Sequence, residues 1–495
     1  MKKYITLILL AVLVVSCSDE LDQTPISEQG SNNFYRNTAD FEAAVNGIYS
    51  TLQSYPIYQF YLSETRSDNL YAVSPTGVRA YDPINAFDRS LATNAIVADN
   101  WNTDFTGIFR ANTVLDQINE ELVPDGAVLN RIIGEARFWR AFFYFDLVRT
   151  YGKVPVFDRV YTPTETLEIP RAPVAEVYNL ILEDLNTAID LLPDSYGSDA
   201  QGKVTSWAAK ATLGLVYLTR SGPTYGIEGA GLDADEYDLA LTQFNDIINN
   251  GPFAFVSDYP AIFDYSNENN AEIVLNIEYL SGGLGVGAEY PSLPVPDGYL
   301  RVNGVGFSNG ETAKQVATDL INAYEADDLR DDLDIQNGYT DQNGNFNPVP
   351  FYTKYLNLER AGQDRFDWGL NYPILRYTDI LTMKAEAILM GANGTQAEVD
   401  GIVNQIRDRA GLDPVANVDL ATLLAAKRLE FAGESRRWYD LVRTGTVVST
   451  INAWIATEDV QNRMQTMDDN QILFPVPSSQ ITVKENLYDQ NPGYD

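Results

Sequence analysis

Residues 132–156 read IIGEARFWRAFFYFDLVRTYGKVPV, and their spacing decides the fold. With Leu129 ahead of them, Ile132, Ile133, Ala136, Trp139, Phe143, Leu147 and Val148 recur at the period of one helical face. Tyr151-Gly152 closes that helix, and Val154-Pro155-Val156 continues extended. Upstream, Trp101, Phe105, Ile108, Phe109, Leu115, Ile118 and Leu122 mark an earlier helix that Pro124-Asp125-Gly126 breaks. The two form an antiparallel helical hairpin.

The same period returns over residues 173–192, 206–219, 235–249, 374–389, 396–410 and 420–441, so the chain reads as mostly α, an array of helical pairs. Leu213-Gly214 with Tyr217, followed by Ala240 and Phe244, matches the signature of a tetratricopeptide pair, whose small residues let helices approach closely. The connection over 221–234 is too long for a regular repeat, so the pairs are irregular. Two stretches break the pattern. Residues 55–100 and 251–370 lose the period and fill with Gly, Pro, Asn and Tyr, as functional loops do. Within the second, 272–279 reads as a short strand and 341–345 as a hairpin tip. The organisation is a scaffold over about 39–54, 101–250 and 371–445 carrying two loop-rich insertions, in a single domain over 39–495.

The N-terminus carries Lys2 and Lys3, then an apolar run over 5–15 that is too short to span a bilayer. It reads as a signal peptide over 1–16. Val14-Val15-Ser16-Cys17 resembles a lipobox, and Cys17 is the only cysteine of 495 residues, so lipidation is its expected role. Residues 17–38 then serve as lipid anchor and tether, with an acidic Ser18-Asp19-Glu20 that suits export to the outer cell surface.

Composition excludes several functions. Acidic residues number 69 against 34 basic ones, a formal charge of −35 that repels phosphate backbones, so nucleic acid is not an expected partner. Histidine is absent, which removes Ser-His-Asp and Cys-His catalysis and HExxH zinc sites. Asp341, Asn343 and Asn345 alternate like calcium ligands, yet Tyr352 stands at the closing position, so no metal or cofactor is expected.

Five ordered blocks resemble the SusD/RagB family of outer-membrane nutrient-binding lipoproteins. They are the quoted stretch, YPILRYTDILTMKAEA (372–387), IRDRAGL (406–412), KRLEFAGESRRWYDLVRTG (427–445) and the terminal FPVPSSQITVKENLYDQNPGYD. The resemblance implies four irregular tetratricopeptide-like pairs and a lipid-anchored body on the outer membrane. It also implies a SusC-like, TonB-dependent barrel transporter as partner. The blocks themselves read as scaffold, with Arg137 and Arg140 suited to Glu135 or Asp146, and Arg436 and Arg437 to Glu434 or Asp440.

A glycan offers flat C–H faces and rims of hydroxyls, so its receptor needs aromatic platforms flanked by carboxylates, amides or Arg. Trp101, Trp139, Trp207, Trp438 and Trp454 fall on helical apolar faces and read as core, whereas Trp368 stands among polar and Gly residues. The expected ligand-binding residues are Asp68, Asn69, Arg79 and Tyr81 from the first insertion, with Tyr290, Tyr299 and Trp368 from the second. The expected function is non-catalytic capture of an oligo- or polysaccharide, a neutral glucan such as laminarin favoured, for delivery to the transporter. Two alternatives stay open: a surface glycoside hydrolase using a carboxylate pair, and a tetratricopeptide-type docking scaffold.

Overall fold

The quoted stretch lies in a helix that runs from Gly126 to Tyr151, and from Phe138 onward every one of its residues is buried. It is therefore a central helix packed all round, rather than the one-faced helix its spacing suggests. Asp125 starts it by accepting from the backbone N–H groups of Ala127 and Val128, and Gly152 ends it at φ +69°. A Cβ at Gly152 would strike the Glu228 carbonyl, so only glycine closes the helix there. The computed structural model describes residues 34–73, 79–306 and 314–494; Cys17 and the leader lie outside the described residues.

Around this helix the scaffold follows the period of the sequence. Helices α1 (Thr38–Thr51), α2 (Ala95–Gln117), α3 (Gly126–Tyr151), α4 (Val174–Leu191), α5 (Ser206–Ser221) and α6 (Tyr237–Asn250) come first. After the second insertion come α7 (Tyr377–Leu389), α8 (Gln396–Arg409), α9 (Leu420–Glu430), α10 (Arg437–Arg443) and α11 (Val447–Glu458). Consecutive members of α2 to α8 pack side by side, and α1 lies against α2 and α3. At the tetratricopeptide-like pair, a Cβ on Gly214 of α5 would run into the Phe244 ring of α6, which is the close approach its signature requires. Among the described residues no helix is long and apolar enough to cross a membrane.

The expected helix over 420–441 is instead two helices, α9 and α10. Between them Gly433 and Ser435 take positive φ of +79° and +63°. That reversal turns Glu434 inward, where it accepts from Arg376 Nε at 2.9 Å and Lys354 Nζ at 3.1 Å. Arg376 also pairs with Glu272 at 2.9 Å and Glu430 at 3.0 Å, and Arg409 reaches Glu430 at 2.7 Å. Three of the quoted blocks therefore meet in one buried ion cluster. Removing one member would strand an opposite charge in the interior.

The charge partners expected for the blocks are different ones. Arg137 and Arg140 both bind Asp184 of α4, Arg140 in a fork with bonds of 2.7 and 2.8 Å. Arg436 pairs with Asp379 at 3.0 Å, and Arg437 with Asp68. In each case the packing of separate elements outweighs neighbours along one helix.

Strands are few and short. Ile273–Ile277 pairs with Tyr372–Arg376, and Ile335–Thr340 with Phe346–Tyr352 around the expected hairpin tip. There Asp341 accepts from the backbone N–H groups of Asn343 and Asn345 at 2.8 and 2.9 Å, which makes it a turn residue.

Candidate carbohydrate-binding surface

The two insertions are joined before they form any site. Leu70–Tyr71 from the first pairs antiparallel with Gln315–Val316 from the second. Immediately before that strand the chain is tied down by polar groups with no solvent access. Asp68 receives Arg437 in a fork of two 2.8 Å bonds, and Asn69 bonds Glu64 at 2.9 Å and Arg428 at 3.0 Å. Burial alone would raise the Asp68 carboxyl, but Arg437 and Arg428 pull it down to about 2. Asp68 and Asn69 were expected to meet ligand. Both are buried, and their work is to lock the first insertion onto α9 and α10.

Three expected platforms are likewise interior. Trp368 is 0% exposed. Its backbone bridges both Ala288 and Ala361, and its indole N–H donates to the Arg365 carbonyl at 3.0 Å. Tyr290 is buried against Tyr355 and Tyr372, with its hydroxyl on the Asn371 carbonyl at 3.0 Å. Tyr81 is buried against Tyr61, the rings stacked 5.9 Å apart and 3° from parallel. An aperiodic stretch gives no sign of which face is covered, because the covering residues come from elsewhere in the chain.

These buried rings nevertheless hold a surface in place around them. Trp368 fixes the turn that carries the buried Arg365 and presents Phe366, which is 49% exposed. Tyr81 backs the half-buried Tyr61, and Arg79 beside it is exposed. Glu289, next to Tyr290, is half-buried, and burial raises its carboxyl above the usual range against the pull of Arg365 and Lys314. Arg365 forms an ion pair with Asp297 at the start of the short helix Asp297–Val302. Beneath lies Lys314, whose ammonium sits 5.2 Å from the ring centroids of Tyr61 and Tyr81 and 5.3 Å from that of Phe60.

This confluence offers aromatic faces, two guanidinium groups, an amine and a carboxyl at the seam of both insertions. Of the residues expected from the sequence it contains Arg79 and Tyr81. Tyr61, Glu289, Lys314, Arg365 and Phe366 were not anticipated. The stretch RFDW held the useful signal, but the exposed ring is Phe366, two residues before Trp368.

Tyr299 lies elsewhere. It is half-buried against Phe351 at 5.0 Å and lines a polar cleft of about 990 Å³ with Asp258, Tyr265, Asn337 and Leu356. A third cavity, about 450 Å³, is walled by Trp101, Phe105, Phe157 and Leu487, with Asn102, Arg159, Tyr161 and Gln480 among its polar groups.

Comparison with known proteins agrees with the helical frame. One family model, described as starch-binding associating with outer membrane, matches residues 20–218, and another, described as the SusD family, matches residues 313–494. Among curated proteins the chain is similar to SusD-like protein P2 of Formosa agariphila, 26% identical with both chains covered in full. A SusD-like protein of Bacteroides ovatus is 27% identical over 87% of this chain and 80% of its own. Among solved structures, a laminarin binding SusD-like protein superposes with a TM-score of 0.77 at 23% identity, covering 93% of this chain and all of that one. Surface glycan-binding protein A from Bacteroides thetaiotaomicron, in complex with laminarihexaose, gives 0.75 at 21%, covering 92% and 99%. With matches to both halves of the chain and a fold shared along nearly all of it, the protein belongs to the SusD/RagB family.

Proposed function

We propose that this protein is a non-catalytic glycan-binding lipoprotein of the cell surface, anchored to the outer membrane through Cys17. It hands oligosaccharide to a SusC-like, TonB-dependent transporter. The observation that carries the reading is the confluence of Tyr61, Phe366, Arg79, Glu289 and Arg365, where rings and hydrogen-bonding groups converge at the seam of two insertions on a helical frame. Stacking on such rings fixes a sugar face, and the charged rim sets its orientation. A glucan such as laminarin is the backbone we favour, on the likeness to neighbours that bind laminarin or hold laminarihexaose.

Affinity electrophoresis against a polysaccharide panel tests this. Retardation by one glycan, lost in Tyr61→Ala and Phe366→Ala, is the expected result; retardation unchanged in both variants discards the site. A second reading, hydrolysis by a carboxylate pair, draws on the raised carboxyl of Glu289 as an acid. New reducing ends released at enzymatic turnover would put that reading first.

A further inference from the structure

Lysines buried elsewhere in this protein are paired with acids. Lys354 has Asp334 at 3.3 Å and Glu434 at 3.1 Å, and Lys427 has Glu386 at 3.1 Å and Asp440 at 2.9 Å. Lys314 is as deeply placed, 3% exposed, yet it makes no hydrogen bond or ion pair with any described residue. In a chain with twice as many acids as bases this is an outlier. An uncompensated buried charge is costly, so an unpaired lysine here tends to lose its proton unless an anion reaches it.

What faces the amine defines that partner. Phe60, Tyr61 and Tyr81 surround it with ring faces. Glu289 and Asp297 act on it from a distance as acids, with Arg365 and Arg79 as like charges. Asp297 is already held by Arg365. Burial, then Arg365, pushes the amine down to about 7, and an arriving anion would restore its proton. Burial raises the Glu289 carboxyl above its ordinary range.

We infer that Lys314 is the seat of a carboxylate on the bound glycan, so that the ligand carries a uronic acid unit among the sugars stacked on the neighbouring rings. This rests on the glycan-binding reading above and adds a charged substituent to it. A neutral chain would occupy the rings and leave the amine unmatched; a uronate satisfies both. Sulfate esters share the charge but are much weaker hydrogen-bond acceptors than a carboxylate, so a buried amine gains less from them.

The test uses the mature full-length protein and three probes on one backbone: laminarihexaose, the same hexasaccharide with its C6 alcohols oxidised to carboxylates, and its sulfated form. Calorimetry in 0.15 M salt screens the general repulsion of the acidic surface beyond about 8 Å. We expect the oxidised sugar to bind at least tenfold tighter than laminarihexaose at pH 6.5. That preference should fall at least tenfold by pH 9.5, as the unliganded amine loses its proton, and it should collapse in Lys314→Met. Laminarihexaose binding with no gain on oxidation overturns the inference alone, as does a gain that Lys314→Met keeps or that pH does not alter. Tighter binding of the sulfated form overturns the carboxylate assignment, and no binding of any probe overturns the glycan reading together with it.

Discussion

Replacing Lys314 by Met should make the protein more stable. In the folded chain the amine is buried, and its pKa falls from 10.5 to about 7. That fall corresponds to about 5 kcal/mol against folding while the group is charged. The ring faces at 5.2 to 5.3 Å return about 1–2 kcal/mol, leaving a net cost of about 3 kcal/mol. Met has nearly the same length, fills the same space and carries no charge. The sign follows from the proton count. Below pH 7 both folded and unfolded chains hold the proton and the penalty is full. From pH 7 to 10.5 the unfolded chain keeps a proton the folded chain has released, so wild-type stability rises with pH relative to the variant. Urea unfolding at pH 6, 8 and 9.5 reads this directly. The variant should be ahead by about 3 kcal/mol at pH 6 and by about 1 kcal/mol or less at pH 9.5. A less stable variant, or a gap that pH leaves unchanged, would refute the reasoning.

Other substitutions probe the frame. Trp368→Ala empties a fully buried site and should cost about 3–5 kcal/mol in urea unfolding; a loss below about 1 kcal/mol would contradict its structural role. Arg437→Ala leaves the buried carboxylate of Asp68 with only the longer 3.4 Å pair to Arg428 and should cost about 3 kcal/mol, whereas a near-neutral result would mean that Arg428 or water takes over that carboxylate. Gly214→Val forces side-chain bulk against Phe244 and should destabilise by about 1–3 kcal/mol, with α5 and α6 losing amide-exchange protection first. Burial, and then Asp146 beside it, holds the Asp104 carboxyl well above its ordinary value. Its folded-state proton stabilises fully below about pH 4 and is lost as pH rises. Asp104→Asn should therefore gain on the wild type in melting temperature as pH climbs from 4 to 8, and a constant difference would count against a proton held on Asp104.

Much of this molecule is legible without coordinates wherever a pattern repeats. The helical period placed α3 to α8 close to their observed bounds, while α2 begins and ends earlier than its apolar residues suggest, and Gly214 opposite Phe244 is readable because a local signature reports a local packing. The break between α9 and α10 was not readable, since a helical period runs through LEFAGESRRWYDL while the reversal there serves Glu434, whose partners Arg376 and Lys354 lie far back in the chain. The binding surface shows the same division. The surface we propose lies where the two expected insertions meet and includes Arg79 and Tyr81, but Asp68 was given to ligand when its partner is Arg437, 369 residues away.

By itself the sequence settled the helical class, the two aperiodic insertions, the poverty of His and Cys chemistry, and the family blocks. All of these reside in composition or in the spacing of neighbours. Tertiary structure alone decided which rings are covered, which acid answers which base, and that Lys314 has no hydrogen bond or ion pair among the described residues. Burial and charge pairing belong to surfaces assembled from distant segments, and an aperiodic segment carries no local record of what will pack against it.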